Sequence, residues 1–422
     1  MSIPSDATGA PLRARERARL NAHAIAWRWH AYAGLFVLPF LLTLAITGAV
    51  MVFFTGFQTR LGPNPVVQPL PQAHAVSEQA LAALAVVPDG RLIGYTAPRA
   101  PDRAAWFVVQ HGERTLALAV DPYRNEVLRW VDKADTPFAW AERIHGTLLI
   151  GDLGDRLMEI AAWASLVMLV TGAVLWWPRG AQGWASRFRT APRARGRGWW
   201  RSLHGALGSW TAIMLIAFLL TGLTWTGVTG AKWLQAWGSF PAEKWDAVPR
   251  STQTHAALNT AGLQEVPWGL AQTALPASGS MAGAAGVPAS VPVNLDSVAA
   301  LAQTLGFRGQ HQIALPQGEQ GVFTISADTM SGDLQRPTGD RTVHVDRYSG
   351  RVLADVGFAD YNGLARTMAV AIALHQGDLG WWNALLNLLA CLAVVLLCVA
   401  GAVMWWLRRP GRVASARAAQ AA

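Results

Sequence analysis

Four stretches of this chain, Ala31–Phe54, Leu157–Trp177, Leu207–Val228 and Ala384–Leu407, contain one charged residue between them, Glu159. Each is about the 20 apolar residues needed to cross roughly 30 Å of hydrocarbon at 1.5 Å per residue. A soluble domain of ordinary composition carries about a quarter charged residues; here 14% are charged and 52% hydrophobic. The expected fold class is a membrane all-α four-helix bundle with two soluble α+β segments between its spans. The first span is longer than the apolar region of a signal peptide and lacks a small-residue cleavage site after it, so it is expected to stay.

Arginine placement orients the spans. The N-terminal tail holds Arg13, Arg15, Arg17, Arg19 and Arg28. The loop after span two holds Arg179, Arg187, Arg189, Arg193, Arg195, Arg197 and Arg201, and the C-terminal tail holds Arg408, Arg409, Arg412 and Arg417. Only Asp6 and Glu16 oppose these 16 cations, whereas the other side carries 19 cations against 24 acids. By the positive-inside rule both tails and the basic loop at 179–198 are cytoplasmic, in the inner membrane of a bacterium, with soluble domains at 58–137 and 230–365 in the periplasm. The net charge of +9 is then topogenic, with contact to anionic lipid, and does not indicate nucleic acid.

The spans repeat. RWHAYAG opens the first and RSLHGALG the third, pairing His30 with His204 and Gly34 with Gly208; Thr47-Gly48 pairs with Thr221-Gly222, the His-to-Gly interval being 18 residues in both. Spans two and four close on TGAVLWWPR and AGAVMWWLRRP, pairing Gly172 with Gly401. Upstream, His145 lies 27 residues before Gly172 and His375 lies 26 before Gly401, although the nearby GDLG elements are offset. The soluble segments carry VDPYRNEVL and VDRYSGRVL, each read as strand, turn and strand. Amphipathic helices are expected at Ser77–Leu84 and Leu295–Leu305. The chain is therefore a parallel duplication of a helix–domain–helix unit. The Ala/Ser/Gly/Pro-rich stretch Ala271–Val293 reads as a flexible insertion in the second domain.

Four of the ten histidines thus occupy repeated positions. His30 and His204 fall one turn inside the cytoplasmic boundary, and His145 and His375 at the outer one. One pair per membrane face is the arrangement that two bis-imidazole haem b groups need, since each iron takes one neutral imidazole from either side. Gly34 and Gly208 would give the macrocycle clearance inside, and Gly146 and Gly377 outside. A lone histidine at a helix end is more often an interfacial hydrogen bonder; matched depth in both halves favours ligation.

Other chemistries fit less well. There is no H-E-x-x-H helix, dinucleotide fingerprint or P-loop, and carboxylates near the pairs are too few for a di-iron cage. The cytoplasmic loops are too short for a flavin domain, so a separate cytoplasmic or membrane donor is expected. Cys391 and Cys398 read as small apolar fillers within span four. The pairs Trp176-Trp177, Trp199-Trp200, Trp381-Trp382 and Trp405-Trp406 read as headgroup anchors. His111, His311 and His344 read as surface or strand histidines.

On RWHAYAG, RSLHGALG, the two WW closures, IHGTLLIGDLG, LHQGDLG and the two VD-x-Y turns, the chain resembles the PepSY-associated transmembrane proteins, which include inner-membrane ferric-siderophore reductases. The resemblance implies PepSY-like outer domains and a di-haem b oxidoreductase that carries electrons from the cytoplasmic side to reduce a periplasmic ferric siderophore or other Fe(III) chelate to Fe(II). It implies His30 and His204 as ligands of an inner haem, and His145 and His375 of an outer one. The substrate would dock above the outer haem; no catalytic residue is assigned. Two alternatives accompany it: a non-enzymatic, peptidase-binding membrane regulator, and a haem electron carrier serving another periplasmic acceptor.

Overall fold

The computed structural model describes residues 9–178, 183–238 and 247–408, and for 9–20 the backbone only. Of the arginines used for orientation, Arg179, Arg409, Arg412 and Arg417 lie outside the described residues. The described residues fall into two packed units, 9–46, 146–178, 183–226 and 389–408 in one, 47–145, 227–238 and 247–388 in the other.

The long helices are α1 (Gly9–Phe57), α4 (Gly151–Trp176), α5 (Arg197–Leu223) and α9 (Trp381–Trp406). All four expected spans fall within or against them, and each is long and apolar enough to cross a membrane. In the first unit Val37, Leu41 and Ala45 of α1 pack with Leu215 and Leu219 of α5 and with Val394 and Cys398 of α9. Only 22–28% of each apolar window is buried. Water does not tolerate that much contiguous exposed apolar surface, so the outward faces require lipid.

The second unit holds the soluble structure, and it corrects the all-α description. Helix α2 (Val76–Val86) precedes β1 (Arg91–Thr96), β2 (Ala105–His111), β3 (Arg114–Asp121) and β4 (Glu126–Asp132), followed by α3 (Pro137–Thr147). Later come a short α6 (Gln235–Gly238), β5 (Arg250–Thr254), β6 (Ala274–Pro276) and α7 (Leu295–Thr304). The last elements are β7 (Gln312–Ala314), β8 (Val322–Ala327), β9 (Arg341–Asp346), β10 (Val352–Gly357) and α8 (Gly363–Gln376). The two expected domains do not form separate sheets. One antiparallel sheet runs β10-β9-β8-β7-β1-β2-β3-β4, joined where Gly94, Tyr95 and Thr96 pair with Ala314, Ile313 and Gln312. Each half would otherwise present an unpaired edge, and the β1–β7 ladder removes both. Helices α2 and α7 share one core with the sheet, in which Ala83, Phe107 and Leu118 meet Val298, Ile325 and Val343.

The repeated VD-x-Y motifs are turn chemistry. Asp121 accepts from the Tyr123 amide at 2.8 Å, and Asp346 from the Tyr348 amide at 2.8 Å. Four residues after each aspartate the chain turns left-handed, at Asn125 (φ 55°) and Gly350 (φ 67°), the residue types that tolerate this region.

The stretch at 271–293 is not a flexible insertion. Ala284 bridges Val352, the Val287 amide donates to the Gly350 carbonyl at 2.8 Å, and Val287 is buried. A Cβ on Gly283 would lie 2.2 Å from the Val352 carbonyl oxygen, and one on Gly286 would lie 2.1 Å from that of Gly350. Small residues are there because backbone meets backbone, not because the segment is loose.

Candidate functional site

The inner histidines meet. His30 of α1 and His204 of α5 stand edge to face, ring centroids 6.3 Å apart and planes at 86°. Each is oriented by a carbonyl of a neighbouring span: His30 Nδ1 lies 2.9 Å from the Met168 oxygen, and His204 Nδ1 3.2 Å from that of Leu397. A carbonyl only accepts, so both Nδ1 atoms carry the proton, which leaves Nε2 as the basic nitrogen in each ring. This carbonyl-anchored tautomer is the outer-shell arrangement typical of metal-ligating histidines. The duplication extends to the acceptors, for Met168 stands four residues before Gly172 and Leu397 four before Gly401.

Beside the glycines on the histidines' own helices, two from facing helices approach the rings. A Cβ on Gly172 would lie 3.0 Å from His30 Cε1, and one on Gly401 4.0 Å from His204 Cε1. Gly34 and Gly208 face Met168 and Leu397 at ordinary contact distances of 3.7 and 3.9 Å. The close seat for the His30 ring is thus Gly172, a residue the repeat had marked without a role.

The outer histidines sit on the short helices that precede α4 and α9. His145, at the end of α3, has its Nδ1 2.9 Å from the Thr47 hydroxyl, the first residue of the repeated Thr-Gly element. His375 ends α8. Desolvation lowers the two imidazoles to about 4 and about 3, and His145 adds to the lowering at His375, so the two are electrostatic neighbours, both neutral. A neutral ring is the form that ligates.

Two buried asparagines of α9 hold the end of α8, where helical carbonyls lack intrahelical partners. Asn383 donates to the Leu374 carbonyl at 3.0 Å, and Asn387 donates to those of Leu374 and His375 at 2.8 and 2.9 Å. Sequence reasoning missed both, although two amides one turn apart in an apolar span are the available signal. Gly377, at φ 86°, then closes α8, whereas a Cβ on Gly146 would meet nothing within 4 Å.

The offset of the GDLG elements has a structural cause. In the second half Gly377–Gly380 forms the turn between α8 and α9. In the first half GDLG is the opening turn of α4, and the break falls on Leu148 and Leu149, both at positive φ (51° and 63°).

Two imidazoles per site are what a macrocycle supplying four in-plane nitrogens leaves to the protein. Among the described residues no group of three or more His, Cys, Asp or Glu could hold a bare metal ion. Two neutral imidazoles per pair are donors of the kind a haem iron takes.

The soluble-domain histidines behave differently. His111 is exposed at the end of β2, and His311 is buried with its Nδ1 on the Gly309 carbonyl. His344 lies on β9 as expected, but in the interior, where its Nε2 is 2.8 Å from that of His255. His255 Nδ1 donates to the Thr273 carbonyl at 2.7 Å, so its Nε2 accepts from His344, and the Thr324 hydroxyl meets His344 Nδ1 at 3.0 Å. Burial lowers both rings; the pair is a tautomer-locked clamp within the second unit.

No curated protein matches the chain. The family model described as the PepSY-associated TM region matches residues 27–408, which takes in all four spans, both histidine pairs and the eight-stranded sheet. The chain belongs to the PepSY-associated transmembrane family.

Proposed function

We propose that this chain is a di-haem b oxidoreductase of a bacterial inner membrane, with both termini cytoplasmic, that moves electrons outward to reduce a periplasmic ferric chelate of the siderophore class. The observation that carries the reading is the duplicated anchoring of His30 on Met168 and His204 on Leu397, which leaves two Nε2 atoms basic within one helix bundle. Haem, when bound, supplies a one-electron couple within a layer where an isolated ion is costly.

The chain's own residues do the rest. His30 and His204 would hold the inner iron, and His145 and His375 the outer one. Met168 and Leu397 fix the tautomer and orientation of the inner rings, Thr47 orients His145, and Asn383 with Asn387 fixes the helix end that presents His375. Oxygen donors bind Fe(III) far more tightly than Fe(II), so one electron suffices to loosen the metal.

The test is anaerobic mixing of reduced protein with a ferric trihydroxamate in the presence of a ferrous-specific chromophore. Chelate-dependent reoxidation with one Fe(II) captured per electron supports reduction of ferric chelates. Reoxidation by quinones or protein acceptors but not by the chelate would move the chain to an electron carrier for another acceptor.

A further inference from the structure

The second unit contains a polar chamber that the histidine pairs do not explain. The β8–β9 connection carries Asp328, Asp333 and Asp340 within thirteen residues. Asp328 and Asp340 are 1% and 4% exposed. Asp340 accepts from the Thr329 amide at 3.0 Å, and Asp328 from the Ser331 amide at 2.7 Å. Asp340 also accepts from the Thr329 hydroxyl at 3.3 Å on both oxygens, whereas Asp328 Oδ2, the Tyr361 hydroxyl and Asp378 Oδ2 are buried with no hydrogen-bond partner among the described residues. Asp340 and Tyr361, but not Asp328, line a small cavity together with Ala365, Ala369 and Ile372 of α8. Those positions run along the face that leads, one turn later, to His375 and Gln376.

A carboxylate oxygen buried without a donor costs several kcal/mol in its ionised form, and the inexpensive remedy is a proton. The charges facing the chamber do not remove that need. Arg60, after α1, acts on Asp328 and Asp378, and also on Glu142 of α3. Arg99 acts on Asp333 and Asp378. Lys133 is taken by Glu265, whose charge adds to that on Asp328. Carboxyls outnumber cations around the chamber.

We propose that Asp328 and Asp340, with Tyr361, form a proton-loading site coupled to electron arrival at the His145–His375 position. The coupling rests on the reading of that pair as the outer electron site; the proton-holding does not. When an electron reaches the outer site, added negative charge draws a proton from periplasmic water. One O–H bond forms on a chamber carboxylate as one breaks in hydronium. When the electron leaves for the Fe(III) acceptor, the proton returns to solvent. Burial, reinforced by neighbouring carboxylates, raises Asp328, Asp333 and Asp340 to about 6, about 7 and about 8.

The test has two independent readouts on the full chain in detergent, for wild type, Asp340→Asn and Asp328→Asn. Asparagine keeps the acceptor oxygen for Thr329 or Ser331 and abolishes proton uptake. Infrared difference spectra between pH 5 and pH 9 read the carboxylic-acid carbonyl whether or not the protein is coloured. A protonated band at pH 6.5, diminished in either variant, is expected; its absence overturns the proton-holding site. Redox titration by visible spectroscopy reads the coupling. One couple should shift with pH by up to about 59 mV per unit, the value for one proton per electron, with the slope at least halved in either variant and the other couple unmoved. Equal slopes in all three proteins overturn the coupling. A colourless protein that keeps the infrared band would overturn the haem reading and the coupling while leaving the proton site standing.

Discussion

His30 and His204 stand with ring centroids 6.3 Å apart, yet neither uses its Nδ1 on the other; each gives it to a carbonyl four residues before a repeated glycine. Duplication therefore preserved the acceptor and the glycine position as well as the histidine.

The two seats are unequal, and alanine should reveal it. At Gly172 the new methyl would lie 3.0 Å from His30 Cε1 and 3.3 Å from Nδ1; at Gly401 it would lie 4.0 Å from His204 Cε1. Gly172→Ala is expected to displace the His30 ring and to lower inner-site cofactor content, whereas Gly401→Ala leaves it near wild type. Cofactor per protein by visible absorption measures both.

The asparagine clamp should be specific to the outer site. Asn387→Leu leaves the Leu374 carbonyl with Asn383 alone and the His375 carbonyl without this donor. A destabilisation of about 1–3 kcal/mol follows from unmet buried groups. It should appear as a lower midpoint in thermal unfolding, with altered outer-site spectra and unaltered inner-site spectra.

The buried aspartates give the second unit a defined pH dependence. Raised from 3.8 to about 8, Asp340 holds in the folded state a proton that the unfolded chain releases. The folded state then binds more protons, so stability falls as pH rises from 3.8 and levels off above about 8, by at most about 1.4 kcal/mol per unit for each proton held. Between pH 7 and pH 8.5, where the buried histidines are neutral in both states, thermal midpoints should fall, and Asp340→Asn should flatten the slope. A rise with pH in wild type would reverse the sign.

Gly286→Ala tests whether the 271–293 segment is a packed cover. With the Gly350 carbonyl oxygen 2.1 Å from the added Cβ, the segment must lift from β10. Limited proteolysis should cut within 279–293 in the variant and spare wild type.

The membrane part and the repeated histidine positions were the most legible in the sequence, because both follow from local rules. Span length, the four histidines and the VD-x-Y turns need no tertiary partner to be read. What stayed hidden depends on distant chain. The β1–β7 ladder joining two apparent domains is set by edges 216–220 residues apart. Small residues around Gly283 read as slack because the opposing carbonyls are invisible in composition. The Asn383–Asn387 clamp and the His255–His344 pair were visible as residue types, but their partners were not. The close contact of Gly172 with the His30 ring joins two helices at positions 142 residues apart in sequence and was likewise unreadable.

The most direct measurement is the visible spectrum of the purified chain, oxidised and dithionite-reduced, with haem quantified per protein for wild type, His204→Ala and His375→Ala. Low-spin b-type bands at two haems per chain, one lost in each variant, are the expected result. A chain that remains colourless after expression with ample haem would contradict the electron-transfer reading and leave a membrane-anchored regulator in its place.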